Sequence, residues 1–304
     1  MESDQPEKSA LDEAATVFVG VQPQLFGIAY RMLGSAAEAE DVVQETWLRW
    51  QSTDRTVVLD PPAYLATVAT RLAINIAQSA RVRRETHVGP WLPEPVDTSV
   101  DPQVGAERGE ALELAVLLLM EKLKPTERAA YVLREAFDYP YEQIAAILET
   151  GQANVRQLVS RARRRLAAER RKPVAAGEHL RLLEVFLAAA QTGDLAALEE
   201  LLAEDVVSYS DGGGARGASR IPVVGSARVA KYLAAFAPRF WPGAAIEWVE
   251  ANARPAVLVS HEGRAVALLS VDISAQGIDR IMWMMDPAKL DPYVESLSRP
   301  RDTP

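Results

Sequence analysis

Between Tyr141 and Leu166 the apolar residues fall on helical spacing twice, with only a short break between the two runs. Tyr141, Ile144, Ala145 and Leu148 form the first; Val155, Leu158, Val159, Ala162 and Leu166 form the second, after Glu149-Thr150-Gly151-Gln152. Two amphipathic helices joined by so tight a turn must cross at a steep angle, which is a helix-turn-helix. The second helix leaves Asn154, Arg156, Gln157, Ser160, Arg161, Arg163 and Arg164 facing out, a set that combines base-edge readers with phosphate-neutralising guanidinium groups. From Arg156 to Lys172 there are eight basic side chains against one acid, Glu169. A merely solvated helix face mixes its charges; this one is a DNA-contact candidate.

That local charge is set against a formal net charge of -9 over 304 residues. A chain basic in one place and acidic elsewhere binds duplex DNA weakly alone and suits a larger partner. The length implies two or three compact units, and 48% hydrophobic residues suffice for real cores. There is no cysteine, which excludes disulfides and thiolate metal sites. Three separated histidines, His87, His179 and His261, make no metal cluster, and His261 reads as an exposed turn residue. No cofactor is implied. Met1 to Ala10 has no apolar signal core and no run approaches membrane-spanning length, so a cytoplasmic protein with no membrane partner is expected.

Ahead of the helix-turn-helix, after a start expected to be disordered, Val21, Leu25, Ile28, Ala29 and Met32 mark a helix that stops at Gly34. Ser35-Ala36-Ala37-Glu38 has the form of a capping box and opens a second helix. That helix is expected to bury Val42, Val43, Thr46, Trp47 and Trp50 and to present an acidic face, including Asp41, Gln44 and Glu45, suited to a protein partner. Asp60-Pro61 starts a third helix with Leu65, Val68, Ala69, Leu72 and Ile76 as its buried stripe. Its other face carries Arg71 and Asn75 and runs into Arg81, Arg83 and Arg84, a second candidate grip on DNA.

Trp91-Leu92-Pro93-Glu94-Pro95-Val96 then breaks all periodicity. Its prolines enforce an extended segment, and its large apolar side chains imply that the segment packs against something. Beyond Pro173 the pattern changes to two amphipathic helices, a strand at Val206 to Ser210, the loop Asp211-Gly212-Gly213-Gly214, a helix at Ser226 to Phe240 and four β-like segments. The last three of those read as an antiparallel meander, and the whole as α+β.

Laid out in order, the first two regions resemble the extracytoplasmic-function sigma factors of bacterial RNA polymerase. Ala39 to Arg49, with Asp41, Gln44, Glu45, Trp47 and Leu48, resembles their core-polymerase-binding helix; Pro62 to Ala69 with Arg71, Asn75 and Arg81 to Arg84 resembles the minus-ten helix; Ala153 to Arg163 resembles the minus-thirty-five recognition helix. Trp91 to Val96, Asp211 to Gly214, and Asp286-Pro287-Ala288-Lys289-Leu290 resemble the three marker motifs of the subgroup with a fused SnoaL-like domain. The resemblance implies two all-α domains followed by an α+β cone with a curved, mostly antiparallel sheet that controls them. It implies region 2 at 10–86, a linker at 87–106, region 4 at 107–172, the cone at 175–292 and a disordered tail at 293–304. The implied partners are core RNA polymerase, through its β′ and β subunits, and promoter DNA, with no catalysis and no metal. Asp211 to Gly214, Asp286 and Lys289 would contact the Trp91 to Val96 linker. The alternative is a small-molecule or catalytic pocket in the cone lined by Tyr209, Asp211, Asp272 and Trp283. The chain departs from the family pattern at Ala215-Arg216, where lysine follows the glycines, at Asp286 in place of asparagine, at Glu149 in place of a turn glycine, and at Gly151 in place of a capping serine or threonine.

Overall fold

The computed structural model describes residues 4–85, 87–99, 112–214 and 218–298, with backbone only at 4–11 and 80–85. The chain divides into two compact units, Met1–Arg83 with Asp101–Ala111 and Met120–Leu166, and Arg84–Val100 with Leu112–Leu119 and Ala167–Pro304.

The first unit is helical. α1 (Asp4–Leu33) begins well inside the stretch expected to be disordered, and α2 (Ala36–Ser52) starts where the capping box places it, with Ser35 Oγ accepting from the Glu38 amide at 3.1 Å. Leu25, Ile28, Val42 and Trp50 are buried, and the Trp50 indole N–H donates to Ala14 O at 3.1 Å. Trp47, expected inside, is half-buried and tilts against Phe18 at 5.0 Å. In α3 (Pro61–Glu85) the Asp60 carboxylate accepts from the Ala63 amide at 3.1 Å. Its buried stripe is Leu65, Ala66, Ala69, Thr70 and Ala73, shifted from the expected one because small side chains allow close helix contact.

α4 (Leu114–Met120) follows, and residues 100–111 ahead of it lie outside the described ones. α5 (Pro125–Glu135), α6 (Tyr141–Ile147) and α7 (Gln152–Glu169) form the helix-turn-helix and its support. Val155, Leu158, Val159, Ala162 and Leu166 are all buried, as the periodicity requires. Glu149 takes the left-handed conformation (φ 52°) that the family's turn glycine would supply, and the Thr150 amide donates to Ala145 O at 2.9 Å to close α6. The buried Arg128 guanidinium pairs with Glu121 and donates through Nε to Arg31 O at 2.8 Å, tying α5 to α1.

The second unit is α+β. α8 (Ala176–Thr192), α9 (Leu195–Leu201) and α10 (Ser226–Phe240) accompany a six-stranded sheet of order β2-β1-β6-β5-β4-β3. The strands are β1 (Leu202–Asp211), β2 (Val223–Val224), β3 (Ala244–Ala251), β4 (Arg254–His261), β5 (Arg264–Ser274) and β6 (Gly277–Met284). The meander runs through four strands rather than three, and only β1 with β6 is parallel. Period-two alternation sends Val206, Leu269, Val271, Ile281 and Trp283 to the face packed with α8–α10. The opposite face, with Tyr209, Leu268, Met282 and Met284, is covered by Leu92, Leu114, Ala115, Leu290 and Tyr293. Both faces are therefore buried, which is why β5 is nearly continuous in apolar and small residues. Residues 293–297, expected in a disordered tail, complete α11 (Pro287–Leu297): Tyr293 is 2% exposed and its hydroxyl donates to Glu250 O at 3.0 Å.

His179 on α8 is 2% exposed; its Nε2 donates to Val271 O at 3.1 Å, and Nδ1 has no hydrogen-bond partner. Burial holds its pKa below the ordinary value. A depressed folded pKa gives stability that is present above about pH 6.5 and lost as the pH falls through the folded value. The thermal midpoint of the full chain should therefore drop on going from pH 7 to pH 5 more steeply than in a His179→Gln variant, whose amide can still donate to Val271 O. Parallel pH profiles would show that His179 does not contribute.

Candidate functional site

Two surfaces of the first unit and one cluster in the second collect the residues singled out in the sequence. On α7, Asn154, Arg156, Gln157, Ser160, Arg161, Arg163 and Arg164 are all exposed, because the apolar stripe turns the other way. Glu127 on α5 holds Arg161 at 3.2 Å and Arg165 at 2.8 Å, and Glu135 holds Arg163 at 2.7 Å. Arg156 lies over the Tyr141 ring at 5.2 Å. In these pairs Arg161, Arg163 and Arg165 stay about half exposed. Arg71 on α3 is exposed but engaged: it donates to Ile147 O at 2.9 Å and Ala146 O at 3.2 Å and pairs with Glu149 at 3.0 Å. Asn75 is exposed nearby on the same helix, while the side chains of Arg81, Arg83 and Arg84 lie outside the described residues.

Between α1 and α2 lies an apolar cleft of about 840 Å³, lined by Phe18, Val19, Pro23 and Phe26 on one wall and by Asp41, Val43, Gln44 and Trp47 on the other. Leu48 and Val19 stand exposed, at 53% and 64%. Glu45 pairs with Arg49 at 2.8 Å. An apolar floor with an acidic rim fits a basic protein element. The α1 wall was not read from the sequence, because Phe18 and Phe26 there look like core positions of the same helix.

In the second unit the three marker motifs meet. Asp211, at the end of β1, is fully buried. Its Oδ2 accepts from the Leu92 amide at 2.8 Å and from Lys289 Nζ at 2.7 Å, and its Oδ1 lies 3.0 Å from His87 Nε2. Lys289 Nζ also donates to Leu92 O at 2.6 Å and sits over the Trp91 ring at 4.5 Å. Leu92 thus has both backbone groups bonded by one buried ion pair, while its side chain enters the core. Burial pulls the Lys289 pKa below its ordinary value, opposed by the Asp211 carboxylate. Lys289 is delivered by α11, whose N-cap is Asp286, accepting from the Ala288 amide at 3.1 Å; aspartate caps as well as the family's asparagine. Gly213 (φ 57°) lies against that cap, where a Cβ would fall 2.8 Å from the Asp286 carboxylate, so the second glycine of the run has a steric reason. Pro93 and Pro95 are buried and Glu94 is half-buried.

A second peg, unread in the sequence, holds the linker at Val96 and Thr98. Asn252 is fully buried in the β3–β4 turn with φ 54°. Its Oδ1 accepts from the Val96 amide at 3.1 Å, its own amide donates to Val96 O at 3.0 Å, and its Nδ2 donates to Leu112 O at 3.0 Å. Thr98 Oγ1 bridges the Glu250 carboxylate at 2.7 Å and the Ala253 amide at 2.8 Å. An Asn in a tight turn is an ordinary turn signal, so nothing local marks it.

The pocket alternative does not survive as drawn. Tyr209, Asp211 and Asp272 project from the linker-side face, whereas Trp283 projects from the helix-covered face, so the four do not line one cavity. Asp272 is paired with Arg280 at 2.9 Å. His261 is half-buried at the end of β4, with Nε2 2.8 Å from Phe240 O, rather than exposed. Among the described residues no group of three His, Asp or Glu could hold a metal, and no helix is long and apolar enough to cross a membrane.

Comparison with known proteins matches residues 17–86 to Sigma-70 region 2 and residues 113–166 to Sigma-70, region 4. The chain is 38% identical over 233 residues to the ECF RNA polymerase sigma factor SigJ of Mycobacterium tuberculosis, covering 74% of each chain. It is 32% identical over 274 residues to the probable ECF RNA polymerase sigma factor SigI of the same species, covering 88% of this chain and 91% of that one. The crystal structure of Mycobacterium tuberculosis SigJ superposes with a TM-score of 0.74 at 31% identity, covering 91% of this chain and 98% of that one.

Proposed function

The chain belongs to the extracytoplasmic-function sigma factors, non-catalytic subunits that direct RNA polymerase to promoters, and on that premise we propose that its C-terminal unit sets its activity by gripping the interdomain linker. The observation that carries this is Leu92: its N–H and C=O are bonded by the buried Asp211–Lys289 pair, and its side chain is part of the cone's own core. A linker used only as a spacer needs none of these contacts. We assign residues 10–86 to core-polymerase and minus-ten binding, 87–106 to the linker, 107–172 to the minus-thirty-five element and 175–292 to regulation. Asp41, Gln44, Trp47 and Leu48, with the α1 wall of the cleft, dock on the polymerase. Arg156, Gln157, Ser160, Arg161 and Arg164 read the upstream element, the arginines pairing with guanine or phosphate. Arg71 reaches the downstream strands only after giving up its bonds to α6 and Glu149.

Run-off transcription with purified core enzyme tests the linker reading. Trp91→Ala and Asp211→Ala, assayed beside the unaltered full chain on one cognate promoter, should each change transcript yield several-fold. Unchanged yield from both variants would remove the linker from the regulatory account.

A further inference from the structure

Among the exposed arginines of α7, Arg161 is held in a way the others are not. Its ion pair with Glu127 on α5 runs through Nε, 3.2 Å from Oε1, and its two terminal nitrogens take no part in that contact. Arg163 instead spends Nη2 on Glu135 at 2.7 Å, Arg165 spends Nη1 on Glu127 Oε2 at 2.8 Å, and Arg156 donates from Nη2 to Gln152 Oε1 at 3.4 Å. Arg164 also bonds through Nε, but only to Ser160 O on its own helix, at 3.4 Å and exposed. The partner of Arg161 is of a different kind. Glu127 is 3% exposed, and its Oε2 accepts from the Lys124 amide at 3.4 Å as well as from Arg165, so the start of α5 and a second arginine both fix the carboxylate.

A long side chain gripped at Nε by a fixed acceptor has lost much of its rotamer freedom before any ligand arrives. What remains is the planar fork of the two terminal nitrogens, on a side chain that is still 45% exposed. That fork is the group that meets O6 and N7 of guanine in the major groove. Gln157 and Arg164 lie four residues before and three residues after Arg161, on the same exposed stripe. Resting on the DNA-binding reading above, we infer that Arg161 is the residue of α7 that reads a guanine in the upstream element, and that Glu127 is its positioning residue. Arg165 keeps the buried Glu127 carboxylate compensated while Arg161 engages the base.

The test is selection by the full chain, with purified core RNA polymerase, from duplexes whose upstream element is randomised, followed by binding to the selected duplex and its single-base variants. The unaltered chain should select a guanine at one position that Arg161→Lys, which keeps the charge and loses the fork, discriminates about tenfold less well. Glu127→Gln should lose about two- to fivefold of the discrimination at that same position and leave the other positions as they were. Arg165→Met removes the other tie between Glu127 and α7, and should leave the guanine preference intact whatever it costs in overall affinity. Unchanged discrimination in Glu127→Gln, or a guanine preference that survives Arg161→Lys, would overturn the inference. Equal weakening at every position in Glu127→Gln, an equal loss in Arg165→Met, or a Glu127→Gln chain that does not fold would assign the carboxylate to helix packing and overturn it too. An unaltered chain that selects no base in the upstream element would instead overturn the DNA-binding reading of α7, on which the inference rests.

Discussion

Asp211→Ala is expected to destabilise the C-terminal unit by about 3–5 kcal/mol, the usual cost of removing one partner from a buried ion pair. The carboxylate satisfies three groups at once: the Leu92 amide, the Lys289 ammonium and a nitrogen of His87. Its loss strands a 9%-exposed ammonium whose ordinary pKa is already lowered by burial. Combining it with Lys289→Met should recover much of the loss, because two uncharged side chains leave no uncompensated charge. Urea unfolding of the full chain, followed by hydrogen exchange at the Leu92 amide, reads both parts. Protection of that amide undiminished in Asp211→Ala, or a double variant less stable than the single one, would show that the pair is not the organising contact.

Asn252→Ala should cost about 2–6 kcal/mol. It leaves the Val96 amide and the Leu112 carbonyl without their side-chain partners in a buried site, at about 1–3 kcal/mol for each unsatisfied group. It also places alanine in the left-handed conformation, which asparagine tolerates better. Asn252→Asp separates the two contributions, since it keeps the acceptor for Val96 and the backbone preference but removes the donor to Leu112. The Val96 amide should lose exchange protection in the alanine variant and keep it in the aspartate variant. A loss below about 1 kcal/mol in the alanine variant would show that the backbone bond from Asn252 to Val96 O suffices to hold the linker.

Much of the first unit was legible because its helices are read one turn at a time. The capping box at Ser35, the break at Glu149 to Gln152 and the exposed basic side of α7 all follow from neighbours three or four residues apart. The marker motifs of the second unit were legible only through resemblance, yet the structure joins them: Asp211, Lys289 and Trp91–Leu92 form one cluster. Where purely local reading failed, the cause was a contact from far along the chain. Tyr293 looked like part of a tail until Glu250 and the linker-side face of the sheet covered it. Arg170 and Arg171 looked like the end of a DNA-binding face, but their partners are Glu113, Asp205 and Asp279. Tyr209 and Trp283 looked like lining of one pocket, but strand alternation sends them to opposite faces.

By itself, then, the sequence determined most of the helices and strands, the order of the two Sigma-70 regions, and the side of α7 that faces outward. Periodicity and capping are local, so their energetics do not depend on what lies elsewhere. Only the tertiary structure decided which of the many charged and polar groups are spent inside the protein. The Leu92–Asp211 and Leu92–Lys289 bonds join residues 119 and 197 positions apart, and Asn252 reaches back 156 positions to Val96. A buried carboxylate, ammonium or amide is stable only with its specific partners in place, and no spacing along the chain encodes those partners.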